Sequence, residues 1–251
     1  IDVPYHPIVQ SGGEYNIRAS AQSNTKALKH DIILASVGLS YRGYYSNMSR
    51  TILINPSKQI EKVYQVFLEA YELARGSMSA GKPYKIVYDT FKDKIVKFDP
   101  KLEACIPKTL GTTIGLEFRD PSQFLNSKNE NIFQSGMVFN LQVALQNIPL
   151  TKEDLEGVKE SSPLHKMDTY SLILADTVLI PAQSQSLSES LTKYEYGLSE
   201  IGWNLSDESD EENEGGSNEN DDDDEEIQGT SSTGDGTSQR RTRISERQKM
   251  I

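Results

Sequence analysis

Alternating apolar and β-prone residues predict a pair of strands early in the chain. The segment "DIILASVGLSYRGYYSNMSRTILI" divides around Gly43 into strands at 31–38 and 44–54, and Gly, Asn and Ser flank both runs. The segment "GMVFNLQVALQN" alternates more regularly, with Asn140 and Gln142 on its polar side. We therefore expect a half-buried strand whose polar row faces a cleft or solvent.

A three-and-four spacing of apolar residues predicts two helices between these strands. The first spans about 57–79. Ser57 at its start suits a helix cap, and Gly81 follows its end. The second spans about 84–98 and stops before Pro100. A last strand in "TYSLILADTVLIP" places Ala175 and Asp176 on opposite faces. Strands and helices mix within about 180 residues, which predicts an α+β sheet domain.

The pattern ends near Pro181, and the rest of the chain divides by composition. We predict a folded domain at 1–183 and a Ser-rich connecting arm at 184–206, packed in part through Tyr194, Tyr196 and Trp203. An acidic linker at 207–238 is too poor in apolar residues to fold and is expected to be disordered. Residues 239–251 turn basic, and we interpret them as the start of a further domain.

Charge is concentrated in the linker. Formal charge is -11, and residues 207–226 hold 13 of the 37 acidic side chains, whereas residues 1–203 carry 21 basic and 22 acidic ones. Such a run either attracts basic partners or serves as a solubilising spacer. Lysines around the second helix alternate with acids, which favours a solvated face over a nucleic-acid site, and no motif for sequence-specific DNA binding is present.

Composition excludes several classes of protein. A single cysteine, Cys105, forms no internal disulfide, which fits a reducing compartment such as the cytosol or nucleus. The longest apolar run is shorter than the ~18–20 residues that span a bilayer, so no membrane role is expected. The chain begins at Ile1 rather than at a methionine, from which we expect a piece of a longer protein.

Four segments together resemble the creatinase and aminopeptidase "pita-bread" family in order and spacing. They are "LASVGLSYRGYYSNMSRTILI", "GTTIGLEFRDP", "GMVFNLQV" and "LILADTVLI". The resemblance implies a curved mixed sheet with flanking helices and, in active members, two divalent metals held by two aspartates, a histidine and two glutamates. The corresponding positions of this chain are Ser36, Asn47, Thr112, Gln142 and Ala175.

These five residues predict a domain without metal, cofactor or catalysis. Two dications need anionic oxygens and an imidazole, whereas Ser, Asn, Thr and Gln offer only neutral oxygens and Ala offers none. The alternative is an active aminopeptidase or creatinase-like hydrolase that uses other groups. Candidates are few, because His6, His30 and His165 match no family position, Arg119 replaces a second histidine, and Cys105 fits an ordinary, partly buried thiol.

The whole layout also resembles the large-subunit family of FACT histone chaperones. The resemblance rests on "PIVQSGGEYNIRAS", "SYRGYYSNMSRTILI" and "GIGLEFRD", followed by the arm, the acidic run and "RTRISERQ". That resemblance implies a catalytically inactive peptidase-like domain, nuclear and chromosomal location, and nucleosome reorganisation during transcription, replication and repair. Implied partners are core histones, the small subunit of the heterodimer, and replication and transcription factors. We assign histone contact to Asp221, Asp222, Asp223, Asp224, Glu225 and Glu226, and expect the cleft to accept extended basic peptides.

Overall fold

The computed structural model describes residues 1–18, 20–21, 26–181 and 188–204. Its sheet has eight strands: β1 Ile8–Gln10, β2 Ile32–Tyr41, β3 Tyr44–Ile54, β4 Gly111–Thr113, β5 Val138–Pro149, β6 Thr169–Leu179, β7 Glu189–Ser190 and β8 Gly202–Trp203. The order is β1-β2-β3-β6-β5-β4, with β7 beside β6 and β8 beside β3. Only β8 pairs in parallel within this set, so the sheet is mixed, and the α+β pita-bread prediction is confirmed.

Strands β2 and β3 form a tight hairpin. Tyr41 pairs with Tyr44, and the two turn residues, Arg42 and Gly43, have φ of 51° and 77°. Positive φ at both positions matches the twist of the strands, and glycine adopts it without steric cost. The predicted first strand, 31–38, was too short, because the connection takes two residues rather than five.

Helices α1 (Lys58–Ser77) and α2 (Lys85–Phe98) follow the predicted segments closely, and a short α3 spans Leu198–Ile201. The Ser57 side chain caps α1 by accepting a hydrogen bond from the backbone N–H of Ile60 at 3.2 Å. The buried residues of both helices share one core with the apolar row of β5, namely Phe139, Leu141, Val143 and Leu145. None of the helices in the described part of the chain could span a membrane.

Strands β3 and β6 meet at a seam where threonine side chains replace much of the backbone ladder. The strands share one register pair, Ser49 with Ala175. On one side of it, the Thr51 hydroxyl donates to the Ile173 carbonyl at 2.9 Å and accepts from the Ile173 N–H at 2.8 Å. On the other side, Thr177 Oγ1 bonds the backbone O and N–H of Asn47 at 3.1 and 3.0 Å. The two halves of the sheet are joined by these side chains.

Residues 188–204 return across the lobe to both halves of the sheet. Strand β7 pairs with β6, and β8 pairs with the end of β3. Of the three aromatic residues predicted to pack, Tyr196 does so, with its hydroxyl donating to Glu72 and its ring 5.6 Å from that of Tyr71. The side chains of Tyr194 and Trp203 are 69% and 58% exposed, so the prediction was wrong for them.

Candidate functional site

An open cavity of about 560 Å³ lies on one face of the sheet and coincides with the predicted site. Four of the five residues at the family's metal-ligand positions line it: Ser36 on β2, Asn47 on β3, Thr112 on β4 and Gln142 on β5. Ala175 on β6 is fully buried beside it, paired with Ser49 and Gln142, which both line the cavity. Strand pairing thus brings together residues that are up to 139 positions apart in sequence.

The predicted polar row on β5 is confirmed as part of this site. Asn140 and Gln142 both line the cavity, while the alternate residues of the strand enter the core. Strand β4 approaches β5 closely at Gly111, where φ is 128° and a Cβ atom would lie 2.0 Å from the Asn140 carbonyl oxygen. Only glycine fits there, and this contact sets the position of Thr112.

The polar side chains of the cavity floor are bonded mainly to one another. Asn47 Oδ1 accepts from the Tyr5 hydroxyl at 2.5 Å, and Asn47 Nδ2 donates to Asn140 Oδ1 at 3.3 Å. The Ser36 hydroxyl donates to that of Ser49 at 2.7 Å. These bonds engage the amide oxygens of Asn47 and Asn140, whereas the side-chain amide of Gln142 has no hydrogen-bond partner among the described residues. Tyr5 had not been predicted as a site residue, and nothing in "DVPYHP" marks it as one.

The donor set does not fit a pair of divalent metal ions. Among the described residues, the cavity lining contains no Asp, Glu, His or Cys, and no group of three such residues that could hold a metal occurs in that part of the chain. Neutral amide and hydroxyl oxygens do not balance four positive charges. Burial raises the pKa of Tyr5 well above its ordinary value, so this phenol remains a neutral donor rather than a base.

The charged residues of the lining are cationic: Arg18, Lys108 and Arg119. The Arg119 guanidinium lies over the Phe124 ring at 4.8 Å, which orients it at the edge of the cavity. A lining with cations and no carboxylate repels a basic peptide. We expected the cleft to accept extended basic peptides, which would need a negatively charged lining. The lining is positively charged instead.

The remaining candidates behave as ordinary structural or surface residues. His6, His30 and His165 are all exposed. Cys105 is buried, and burial raises the pKa of its thiol, which leaves it protonated and unreactive. Several lysines around α2 pair with carboxylates at 2.6 Å, including Lys92 with Glu103 and Lys94 with Glu69, as expected of a solvated face. The predicted histone contacts, Asp221, Asp222, Asp223, Asp224, Glu225 and Glu226, lie outside the described residues.

The fold and this cavity define a domain with the architecture of a peptidase and an altered ligand set, and comparison with known proteins agrees. The model of metallopeptidase family M24 matches residues 1–182, so the chain belongs to that family. The solved prolidase of Thermococcus sibiricus shares the fold, with a TM-score of 0.61 and 20% identity over 81% of this chain and 48% of its own.

A particular branch of the family is closer in sequence, namely FACT complex subunit SPT16. The Arabidopsis thaliana protein is 34% identical over 215 residues, which cover 84% of this chain and 19% of the relative. The Mycosarcoma maydis protein is 39% identical over 182 residues, 70% of this chain and 16% of the relative. The solved N-terminal domain of SPT16 from chickpea gives a TM-score of 0.72 at 33% identity, covering 80% of this chain and 45% of its own. The chain thus spans about a fifth of the length of these curated relatives.

Proposed function

We propose that this chain is a non-catalytic, histone-binding part of a FACT-type histone chaperone that reorganises nucleosomes during transcription, replication and repair. The observation that carries the proposal is the cavity floor, where only neutral side chains stand at the family's metal-ligand positions, and those of Ser36, Asn47 and Thr112 already bond other groups of the protein. The similarity to FACT complex subunit SPT16 supports it over most of the chain. An M24 framework with this floor is better suited to binding than to hydrolysis.

Hydrolysis needs groups that the described residues do not bring together in the cavity. A metal-bound water would need ionised ligands, and metal-free amide hydrolysis would need a general base within reach of the substrate. The lining of the cavity offers amides, hydroxyls and three basic side chains. The imidazoles of His6, His30 and His165 lie elsewhere on the surface.

The acidic run provides the proposed contact with core histones. Thirteen carboxylates within residues 207–226 create a strong local negative potential, and Asp221–Glu226 form its densest part. Histones are strongly basic, so an acidic segment of this kind competes with DNA phosphate for them. By the same proposal, the protein acts in the nucleus on chromosomes. It assembles with a small FACT subunit through regions outside this chain and works with replication and transcription factors.

The test is binding of purified core histones by the full chain at several salt concentrations. In the matched variant, all 13 carboxylates of residues 207–226 become Asn or Gln, which keeps the length and removes the charge. We expect this variant to bind at least 10-fold more weakly at ~50 mM salt. Above ~300 mM the difference should shrink to 2–3-fold, because salt screens exposed charges. Equal affinities of the two proteins at low salt would contradict the proposed contact.

A further inference from the structure

We propose that the cavity lined by Ser36, Asn47, Thr112 and Gln142 is a binding site for an extended acidic peptide. The site lies in the folded lobe and is separate from the acidic run, whose proposed partners have the opposite charge. The inference rests on the electrostatics and hydrogen-bonding capacity of the cavity alone, and it does not depend on the proposed function.

Uncompensated positive charge is the first argument. Arg18, Lys108 and Arg119 line the cavity, and none of them forms an ion pair with a carboxylate within the part of the chain that the structure describes. Glu117 and Asp120 flank Arg119 in sequence, but neither lines the cavity. The Asp120 carboxylate accepts bonds from the backbone and hydroxyl of Ser122 instead. Three cations that converge on one concave surface attract anions and raise their association rate.

Free hydrogen-bonding groups are the second argument. The amides of Gln142 and Gln146 line the cavity, and neither has a hydrogen-bond partner among the described residues. Each primary amide can donate to a carbonyl and accept from an N–H, which is what a peptide backbone requires. The cations would then meet acidic side chains of the same peptide. The volume, about 560 Å³, is within the ~300–1,000 Å³ of typical ligand pockets.

The aromatic residues favour a peptide over single-stranded nucleic acid. Base recognition needs free aromatic faces on which bases stack. Here the rings of Tyr5 and Tyr45 each make an edge contact with Phe118, at 5.4 and 6.1 Å between centroids. Arg119 already covers the face of Phe124. The rings that line the cavity, those of Tyr5, Phe118 and Phe124, are therefore already in contact with other side chains.

The experiment measures fluorescence anisotropy with a labelled ten-residue peptide of alternating Glu and Ser. The host is the full chain with the 13 carboxylates of residues 207–226 replaced by Asn or Gln, so that no acidic segment of the protein competes with the probe. The cavity variant carries Arg18→Gln, Lys108→Gln and Arg119→Gln. Its matched control carries Lys58→Gln, Lys97→Gln and Lys101→Gln, three exposed lysines outside the cavity that change net charge equally.

We expect the cavity variant to bind the acidic peptide at least 10-fold more weakly than its host and the control variant to bind within 2-fold. A Gln142→Leu variant, which changes no charge, should lose 3–10-fold, which separates the cavity from general attraction. Melting temperatures within 2–3 °C of the host would establish that these variants fold. Equal losses in the two triple variants would overturn the proposal. So would tighter binding of a Lys-Ser peptide, or equal cavity-dependent binding of a ten-residue thymidine oligonucleotide.

A comparison of the unaltered chain with the neutralised host indicates whether the acidic peptide that occupies the cavity belongs to this protein or to a partner. If the unaltered chain binds the labelled peptide more weakly than the neutralised host even at ~300 mM salt, where long-range repulsion is screened, an acidic segment of the protein itself competes for the cavity. Equal affinities indicate a separate acidic partner. Both outcomes support the cavity as an acidic-peptide site, and neither involves histones, so this test and that of the proposed function fail independently.

Discussion

The buried ion pair of Arg50 and Asp176 shows how the lobe accommodates charged groups in its interior. Asp176 is fully buried, and its two oxygens accept bonds from Arg50, Tyr71 and Thr192 at 2.8, 2.7 and 2.5 Å. Arg50 also donates to the carbonyls of Ala175 and Tyr194 at 2.9 and 2.8 Å. Every charged partner is satisfied, which a buried ion pair requires if it is to persist. This cluster ties β3, β6, α1 and residues 188–204 together.

Asp31 is the contrasting case and predicts a pH dependence of stability. It is fully buried, and its Oδ2 has no hydrogen-bond partner in the described structure, while Oδ1 accepts from the Gly12 N–H at 3.3 Å. Burial raises the pKa of Asp31 to about 6. The folded chain then holds this proton more tightly than the unfolded chain, in which the pKa is about 3.9. The contribution of Asp31 to the free energy of unfolding is greatest below pH ~4 and falls as the pH rises to about 6.

We therefore expect Asp31→Asn to remove this fall and to stabilise the chain at pH 7.5 by on the order of 1–2 kcal/mol, allowing for screening. The measurement is urea unfolding of both proteins from pH 4 to 7.5. Glu117→Gln, which removes the same charge at an exposed position, serves as the control. If the free energy of unfolding of Asp31→Asn varied with pH in parallel with that of the unaltered chain, ionisation of the Asp31 carboxyl would not destabilise the folded state.

At the scale of elements, the seam between β3 and β6 decides whether the two halves of the sheet hold together. The Thr51 hydroxyl satisfies both backbone groups of Ile173, and Thr177 does the same for Asn47. Thr51 is fully buried, so no water can replace these bonds if the hydroxyl is lost.

Thr51→Val keeps the shape of the side chain and removes the hydroxyl. We expect it to lower the free energy of unfolding by about 2–4 kcal/mol, because the Ile173 N–H and C=O are left buried without partners. Thr51→Ser keeps the hydroxyl, loses one methyl group, and should cost about 1 kcal/mol. Equilibrium urea unfolding distinguishes the two variants, and equal losses would show that packing rather than hydrogen bonding holds the seam.

The approach of β4 to β5 is a second element-scale prediction. Gly111→Ala would force a Cβ atom against the Asn140 carbonyl at a φ of 128°, and we expect a loss of at least ~2 kcal/mol. Gly76→Ala is the matched control, because Gly76 lies in α1 with open space around it, and it should gain up to ~1 kcal/mol. Thermal unfolding of both variants measures the contrast. A stable Gly111→Ala protein would mean that β4 can shift away from β5 without cost.

At the scale of the whole molecule, charge is distributed unevenly along the chain. Residues 1–203 are nearly neutral, whereas residues 207–226 carry 13 carboxylates and no basic side chain. The cavity adds a local excess of positive charge within the neutral part. Basic and acidic partners are thus expected to contact different regions of the chain, and salt should weaken both contacts.

Metal addition tests the whole molecule as an enzyme. A metal site with a Kd of ~10 μM would add about 2.7 kcal/mol to stability at 1 mM metal, which raises Tm by roughly 5–10 °C. We expect a shift below 1 °C with Mn²⁺, Co²⁺ or Zn²⁺, and no cleavage of Xaa-Pro peptides. The chain with residues 207–226 neutralised controls for weak ion binding by the acidic run. A metal-dependent rise in Tm together with turnover would establish the alternative of an active hydrolase.

Much of the cavity could be predicted from sequence, because the side-chain period of a strand is fixed at two residues. Alternation placed Asn140 and Gln142 on the same face of β5, and spacing within the family phrases located Ser36, Asn47 and Thr112. Tyr5, Arg18 and Lys108 were not predicted. They reach the cavity from irregular segments, where no period links sequence position to direction in space.

The sequence by itself determined the elements, the neutral residues at the family's metal-ligand positions and the uneven distribution of charge, since these depend on local pattern and composition. Tertiary structure alone decided which other groups those residues bond and which charges surround the cavity. The bond between Tyr5 and Asn47 and the convergence of Arg18, Lys108 and Arg119 arise from contacts between distant segments. Such contacts depend on how the strands pair and where the loops return, and neither is encoded in any single stretch of the chain.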